Sequence, residues 1–125
     1  MQTTYDVDNL GPTTSFVKGW LQAVTDIGPY VNGNLRTKPR ERWDFDAELL
    51  PGRLQLVPVY IRKWNHPHSA RSKFLRTWLG EAFRPEILAN PKLLTGHAAR
   101  LEIRTSVDSD GIMNHRIVAA HPVPK

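Results

Sequence analysis

The sequence has no cysteine, which excludes disulfides and thiolate metal sites and fits a reducing cytosol. No apolar run approaches the roughly 18 residues a membrane span needs, and the N-terminus lacks a signal-peptide pattern. A soluble, cytoplasmic protein is therefore expected. A Gly-rich phosphate loop, a nucleophile elbow and a dinucleotide fingerprint are also missing, so no enzymatic activity and no cofactor are expected. Carboxylates are the scarcer charge, 12 against 17 Lys and Arg, for a net charge of +5. What remains is globular: 125 residues, 40% hydrophobic and 23% charged, enough for one domain with its own core.

Residues 1–15 are polar, with Gly11-Pro12 and a Thr-Thr-Ser cluster, and are expected to form a flexible N-terminal arm before a domain at 16–125. Phe16–Ile27 reads as a first strand, and Gly19 inside it suggests a bulge or sharp bend. A long Gly/Asn/Pro-rich loop, 28–40, carries Tyr30 and spaced cations. Glu41–Leu50 alternates strictly, placing Trp43, Phe45, Ala47 and Leu49 on a core face and Asp44, Asp46 and Glu48 outward. After the Pro51-Gly52 turn, Leu54–Trp64 reads as a third strand, with Val57, Val59 and Ile61 on one face and Tyr60, Arg62 and Trp64 on the other.

The period then changes to that of a helix. Ser69 is the expected N-cap, Phe74, Leu75, Trp78 and Leu79 form the apolar stripe, and Gly80 marks the end. Phe83–Leu94, with two prolines, reads as a short helical turn between loops. His97–Val107 and Ile112–His121 read as the last strands, joined at Asp108-Ser109-Asp110-Gly111. The fold expected is mainly β: a five-stranded OB-fold-like Greek-key barrel with one helix between strands 3 and 4.

Charge distribution says more than the total. Arg36, Lys38, Arg40 and Arg42 in and after the first loop are followed by Arg53, Arg62, Lys63, Arg71, Lys73 and Arg76, with Asp44, Asp46 and Glu48 in the same stretch. Such a bias suits a polyanion. Single-stranded nucleic acid is held by bases stacked on aromatic rings while cations follow the backbone. Tyr60 and Trp64, with Arg62 between them, have that composition, and Trp20 and Tyr30 are further stacking candidates. Arg36, Lys38, Arg40 and Arg42 are expected to contact phosphates, with Arg62, Lys63, Arg71 and Lys73 extending the track. The carboxylate row would suit a magnesium-dependent nuclease only if it converged with a Lys or His from another element. His66-Pro67-His68 lacks the ligand set of a zinc site and reads as a turn near the helix N-cap whose histidines can contact phosphate when protonated.

The strand–helix unit resembles small single-stranded-DNA-binding-like proteins with an OB-fold encoded by bacteriophages and mobile elements. The resemblance runs from Phe16 to Lys125 and is densest over Trp43–Phe83. It is carried by the WDFDAE strand, the basic strand after it, the helix pattern His66, Ser69, Lys73, Leu75, Trp78, Gly80 and Phe83, and the final Pro124-Lys125. The first loop is richer in cations than that family's, and Leu79 stands where a basic residue is common. The resemblance implies a basic protein of a bacterial host's cytoplasm that binds single-stranded DNA, or RNA, with low sequence specificity in DNA replication or recombination. Homodimerisation and contact with replication or recombination proteins are compatible with it. The alternative is an OB-like protein-interaction module docking on a host or phage protein, and the lack of a long acidic C-terminal tail leaves room for it.

Overall fold

The computed structural model of the chain describes residues 13–28, 31–32, 35–36, 38–64 and 66–124. Strand β1 (Thr13–Ile27) is followed by a small ribbon of β2 (Val31–Asn32) and β3 (Leu35–Arg36), then β4 (Arg40–Leu50) and β5 (Arg53–Arg62). Helix α1 (Ala70–Leu79), a short α2 (Pro85–Ala89) and a 3-10 turn at Pro91–Leu94 lead to β6 (Ala98–Val107) and β7 (Met113–His121). The third long strand stops at Arg62, two residues before the sequence suggested. The first begins at Thr13, because Thr13, Thr14 and Ser15 pair with Thr105, Arg104 and Ile103. Residues 1–12 of the expected arm lie outside the described residues.

The five long strands form one antiparallel sheet in the order β5-β4-β1-β6-β7. This order is OB-fold-like, but the closed Greek-key barrel expected from the sequence is not formed. The sheet is an open half-barrel curling through 206°, with its edges 6 Å apart, wider than the roughly 4.8 Å spacing of a hydrogen-bonded pair. The interior is shared with the helix. Trp43 and Phe45 from β4 meet Phe74 and Trp78 from α1, with Trp43 edge-on to Phe74 at 5.5 Å and Phe45 to Trp78 at 5.6 Å. Helix α1 rests on both edge strands, β5 and β7, and so bridges a seam that no hydrogen-bonded ladder closes among the described residues.

Helix α1 starts and stops where its chemistry dictates. The Ser72 N–H donates to Ser69 Oγ at 3.1 Å, and Gly80 ends the helix at φ 55°. The buried face is centred on Arg71, Ser72, Leu75 and Trp78, while Phe74 and Leu79 are only partly covered. The Trp78 indole N–H donates to the Ala98 carbonyl at 3.0 Å and pins the helix to the start of β6.

The irregularity expected at Gly19 lies just beyond it, and what Gly19 itself provides is a close approach. Gly19 and Trp20 pair with β4 on one side and β6 on the other, and the register with β4 shifts between Leu21 and Ala23. The Leu21 N–H donates to His97 O and its carbonyl accepts from the Gly96 N–H, at 3.1 and 2.8 Å. A Cβ at position 19 would collide with Leu101 Cδ1 and sit 2.8 Å from the Asp46 carbonyl oxygen. Gly19→Ala is therefore expected to cost about 1–3 kcal/mol, as overpacking does. Urea denaturation reads this directly, and an unchanged midpoint would show that Leu101 and the β4 backbone can make room for a methyl group.

Candidate nucleic-acid interface

The β4–β5 register sets Arg42 opposite Tyr60 and Arg40 opposite Arg62. Because Val57 and Ile61 turn inward, Pro58, Tyr60 and Arg62 face out with the even-numbered residues of β4. Tyr60 is 56% exposed and Trp64 47%. Trp64 lies beyond the end of β5, yet Arg62 Cζ stands 5.0 Å from its ring centroid. The His66 ring stacks on Trp64 at 5.0 Å and 28°, and His68 follows at 5.6 Å. The His68 N–H donates to His66 Nδ1 at 3.1 Å, which holds the turn. The aromatic–cation row expected from the sequence thus continues as Tyr60, Arg62, Trp64, His66.

Directly opposed like charges destabilise a sheet. Among the described residues no carboxylate forms an ion pair with Arg40 or Arg62. Arg42 differs, because its Nε lies 3.2 Å from Asp44 Oδ1. Lys38 is exposed next to Pro39, whose carbonyl accepts the Lys63 N–H at 2.9 Å. Arg40, Arg42, Tyr60, Arg62 and Trp64 therefore gather at one corner of the outer face, with Lys38 at its margin.

Other expected residues stand elsewhere. Lys63 Nζ turns away to Asp26 Oδ1 at 3.2 Å. Lys73 is exposed on α1. Trp20 is half-buried on the outer face of β1, beside Asp46 in one ladder and Ala98 in the other. Tyr30 and the side chain of Arg36 lie outside the described residues.

Arg71 requires a correction. It is 2% exposed, with Nε 3.0 Å from Glu41 Oε1 and Nη2 donating to Oε2 at 3.1 Å. The Trp43 indole N–H donates to the same carboxylate at 3.2 Å. Burial pushes the Arg71 guanidinium below its usual range, while Glu41 and, less strongly, Asp26 act in the opposite direction. A guanidinium consumed in this way offers nothing to a phosphate. It anchors α1 to β4 instead.

The carboxylate row faces away from the core as expected, but it is not freely solvated. Asp44 is 7% exposed beneath Arg42, Asp46 and Glu48 are half-buried, and Glu48 accepts the Gly52 N–H at 2.8 Å. Among the described residues no three His, Asp or Glu side chains converge on a metal-sized site, and no helix is long and apolar enough to cross a membrane.

The sequence reading also passed over an apolar run. Leu54 and Leu56 share the outward parity of Tyr60 and are 56% and 54% exposed, with Leu50 at 61% at the end of β4. Nearby, the end of the half-barrel away from α1 holds a cleft of about 350 Å³ between Leu49, Gln55, Met113 and His115. No family model, no curated protein and no solved structure matches this chain.

Proposed function

We propose that the chain binds single-stranded DNA with low sequence preference, in the replication or recombination of a phage or mobile element. The observation that carries this reading is the corner where Arg40 directly opposes Arg62 beside exposed Tyr60 and Trp64. A phosphate between the two guanidinium groups would convert a repulsive cross-strand pair into a bridged one. Tyr60 and Trp64 would stack bases on either side of Arg62. Placing the protein in replication or recombination rests on the family resemblance, and RNA is the other strand this chemistry accepts.

The test is a titration of labelled oligo-dT and a matching duplex at several salt concentrations, following Trp emission. Affinity for the single strand is expected to fall by about 0.7 log unit per log unit of salt for each phosphate neutralised. Arg40→Ala/Arg62→Ala removes the bridged phosphate, so the slope should flatten by about 0.7. Tyr60→Ala and Trp64→Ala should each cost about 1–3 kcal/mol of binding. A double variant that binds like the parent at every salt concentration would remove the corner from the interface.

The protein-docking alternative is favoured by one observation, the exposed Leu50, Leu54 and Leu56. Failure of the parent protein to bind any oligonucleotide at low salt would move the function to that surface.

A further inference from the structure

Two more cross-strand cation pairs stand on the outer face, at the end away from Tyr60 and Trp64. Lys18 on β1 is directly opposite Arg100 on β6, and Arg104 on β6 is directly opposite Arg116 on β7. All four side chains are exposed. Among the described residues none of them has an ion-pair partner. The carboxylate between the pairs, Glu102, is engaged by His121 Nε2 at 2.9 Å. Each pair repels itself across the ladder. The face therefore holds four unneutralised cations that an extended anion would relieve.

The site has shape as well as charge. Arg100 Cζ lies 4.1 Å from the centroid of the Phe16 ring, which is itself 46% exposed. A guanidinium held over an aromatic face can still offer N–H groups to a phosphate. Phe16, Lys18 and Arg100, together with Val123 and Pro124, wall a cleft of about 220 Å³. Lys18 adds a point charge across the same ladder step.

We propose that the Lys18–Arg100 and Arg104–Arg116 pairs, with Phe16, form a second station for the sugar–phosphate backbone of the same single strand. The inference rests on the single-strand reading and extends it across the sheet. The two stations lie on opposite sides of the Asp44–Asp46 stretch of β4, and Trp20 lies between them. A strand held at both ends passes over Trp20 and makes its phosphate contacts on either side of the carboxylates.

The test compares Lys18→Gln/Arg100→Gln and Arg104→Gln/Arg116→Gln with a control of equal charge change, Arg53→Gln/Lys92→Gln, in an oligo-dT titration over salt. Arg40→Ala/Arg62→Ala is run alongside. Each second-station variant should flatten the salt slope by about 1.4, so the affinity lost between about 0.05 and 0.2 M salt shrinks about sevenfold relative to the parent. The control should follow the parent. Relief of like-charge repulsion offsets the lost Arg100–Phe16 contact, so both second-station variants should melt close to the parent temperature and lost binding cannot be assigned to lost fold. If they titrate like the control while Arg40→Ala/Arg62→Ala is weakened, the second station is overturned and the first stands. Weakening of the second-station variants alone supports this station and removes the first. A parent protein that binds no oligonucleotide overturns both.

Discussion

Arg71→Met should lower folding stability by about 3–5 kcal/mol, the cost of leaving one member of a buried ion pair without its partner. Glu41 is 3% exposed, and without the guanidinium its carboxylate keeps only the Trp43 indole N–H at 3.2 Å. Glu41→Gln/Arg71→Met should regain much of the loss. It leaves no bare charge inside, and an amide oxygen still accepts from Trp43. Urea denaturation of the parent, both single variants and the double variant gives the coupling energy between the two positions. A single variant within about 0.5 kcal/mol of the parent would place the pair among contacts of ordinary surface value. Under conditions where Arg71→Met is fully folded, its affinity for oligo-dT should equal the parent's, which separates an anchoring arginine from a phosphate-binding one.

That pair was legible in the sequence, and it marks where charge counting misleads. Glu41 shares the parity of Trp43, Phe45 and Ala47, so the alternation that placed those three in the core placed a carboxylate there too. Arg71 lies four residues before Leu75 and seven before Trp78, on the same helical stripe. A buried acid on a strand and a basic residue on the buried stripe of the next helix imply each other. Reading Arg71 as one more cation in a basic run ignored its phase.

Other features were readable for sound physical reasons. Ser69 and Gly80 marked the helix ends and the Asp-Ser-Asp-Gly turn the last hairpin, while Gly19 pointed to an irregularity in β1 that falls at Leu21–Ala23 instead. In that turn Asp108 Oδ1 accepts the N–H groups of Asp110 and Ile112, both at 2.9 Å. The Ile112 bond, with smaller help from Asp110 and Asn114 and against some desolvation, pulls the Asp108 carboxyl below its usual range. Whether the sheet closes was not readable. Alternation says which face is inside, but not how far the sheet curls or whether its two edges meet, and those depend on packing between segments distant in the chain. The opposed cations were equally hidden. Lys18, Arg100, Arg104 and Arg116 belong to three strands, and only the ladder register shows that they meet in pairs.

Because the sheet is open, α1 has a larger task than a helix packed beside a closed barrel. Trp78→Ala is expected to cost about 3–5 kcal/mol, as large-to-small changes at buried aromatics do. Trp78 is 2% exposed and packs on Phe45 at 5.6 Å and Phe74 at 6.5 Å. Its truncation removes the aromatic contact surface between helix and half-barrel and leaves the Ala98 carbonyl without the indole N–H. Trp78→Phe separates the two effects. It keeps most of the ring burial and loses the hydrogen bond, so it should cost roughly 1–3 kcal/mol, much of it from the unpaired carbonyl. Native-state hydrogen exchange provides a second readout. If α1 is what holds the β5 and β7 edges in place, Trp78→Ala should speed exchange in those two strands before it affects β1 and β4, whose ladders are flanked on both sides. Uniform loss of protection across all five strands would mean instead that helix and sheet unfold as one unit, with the seam no weaker than the rest.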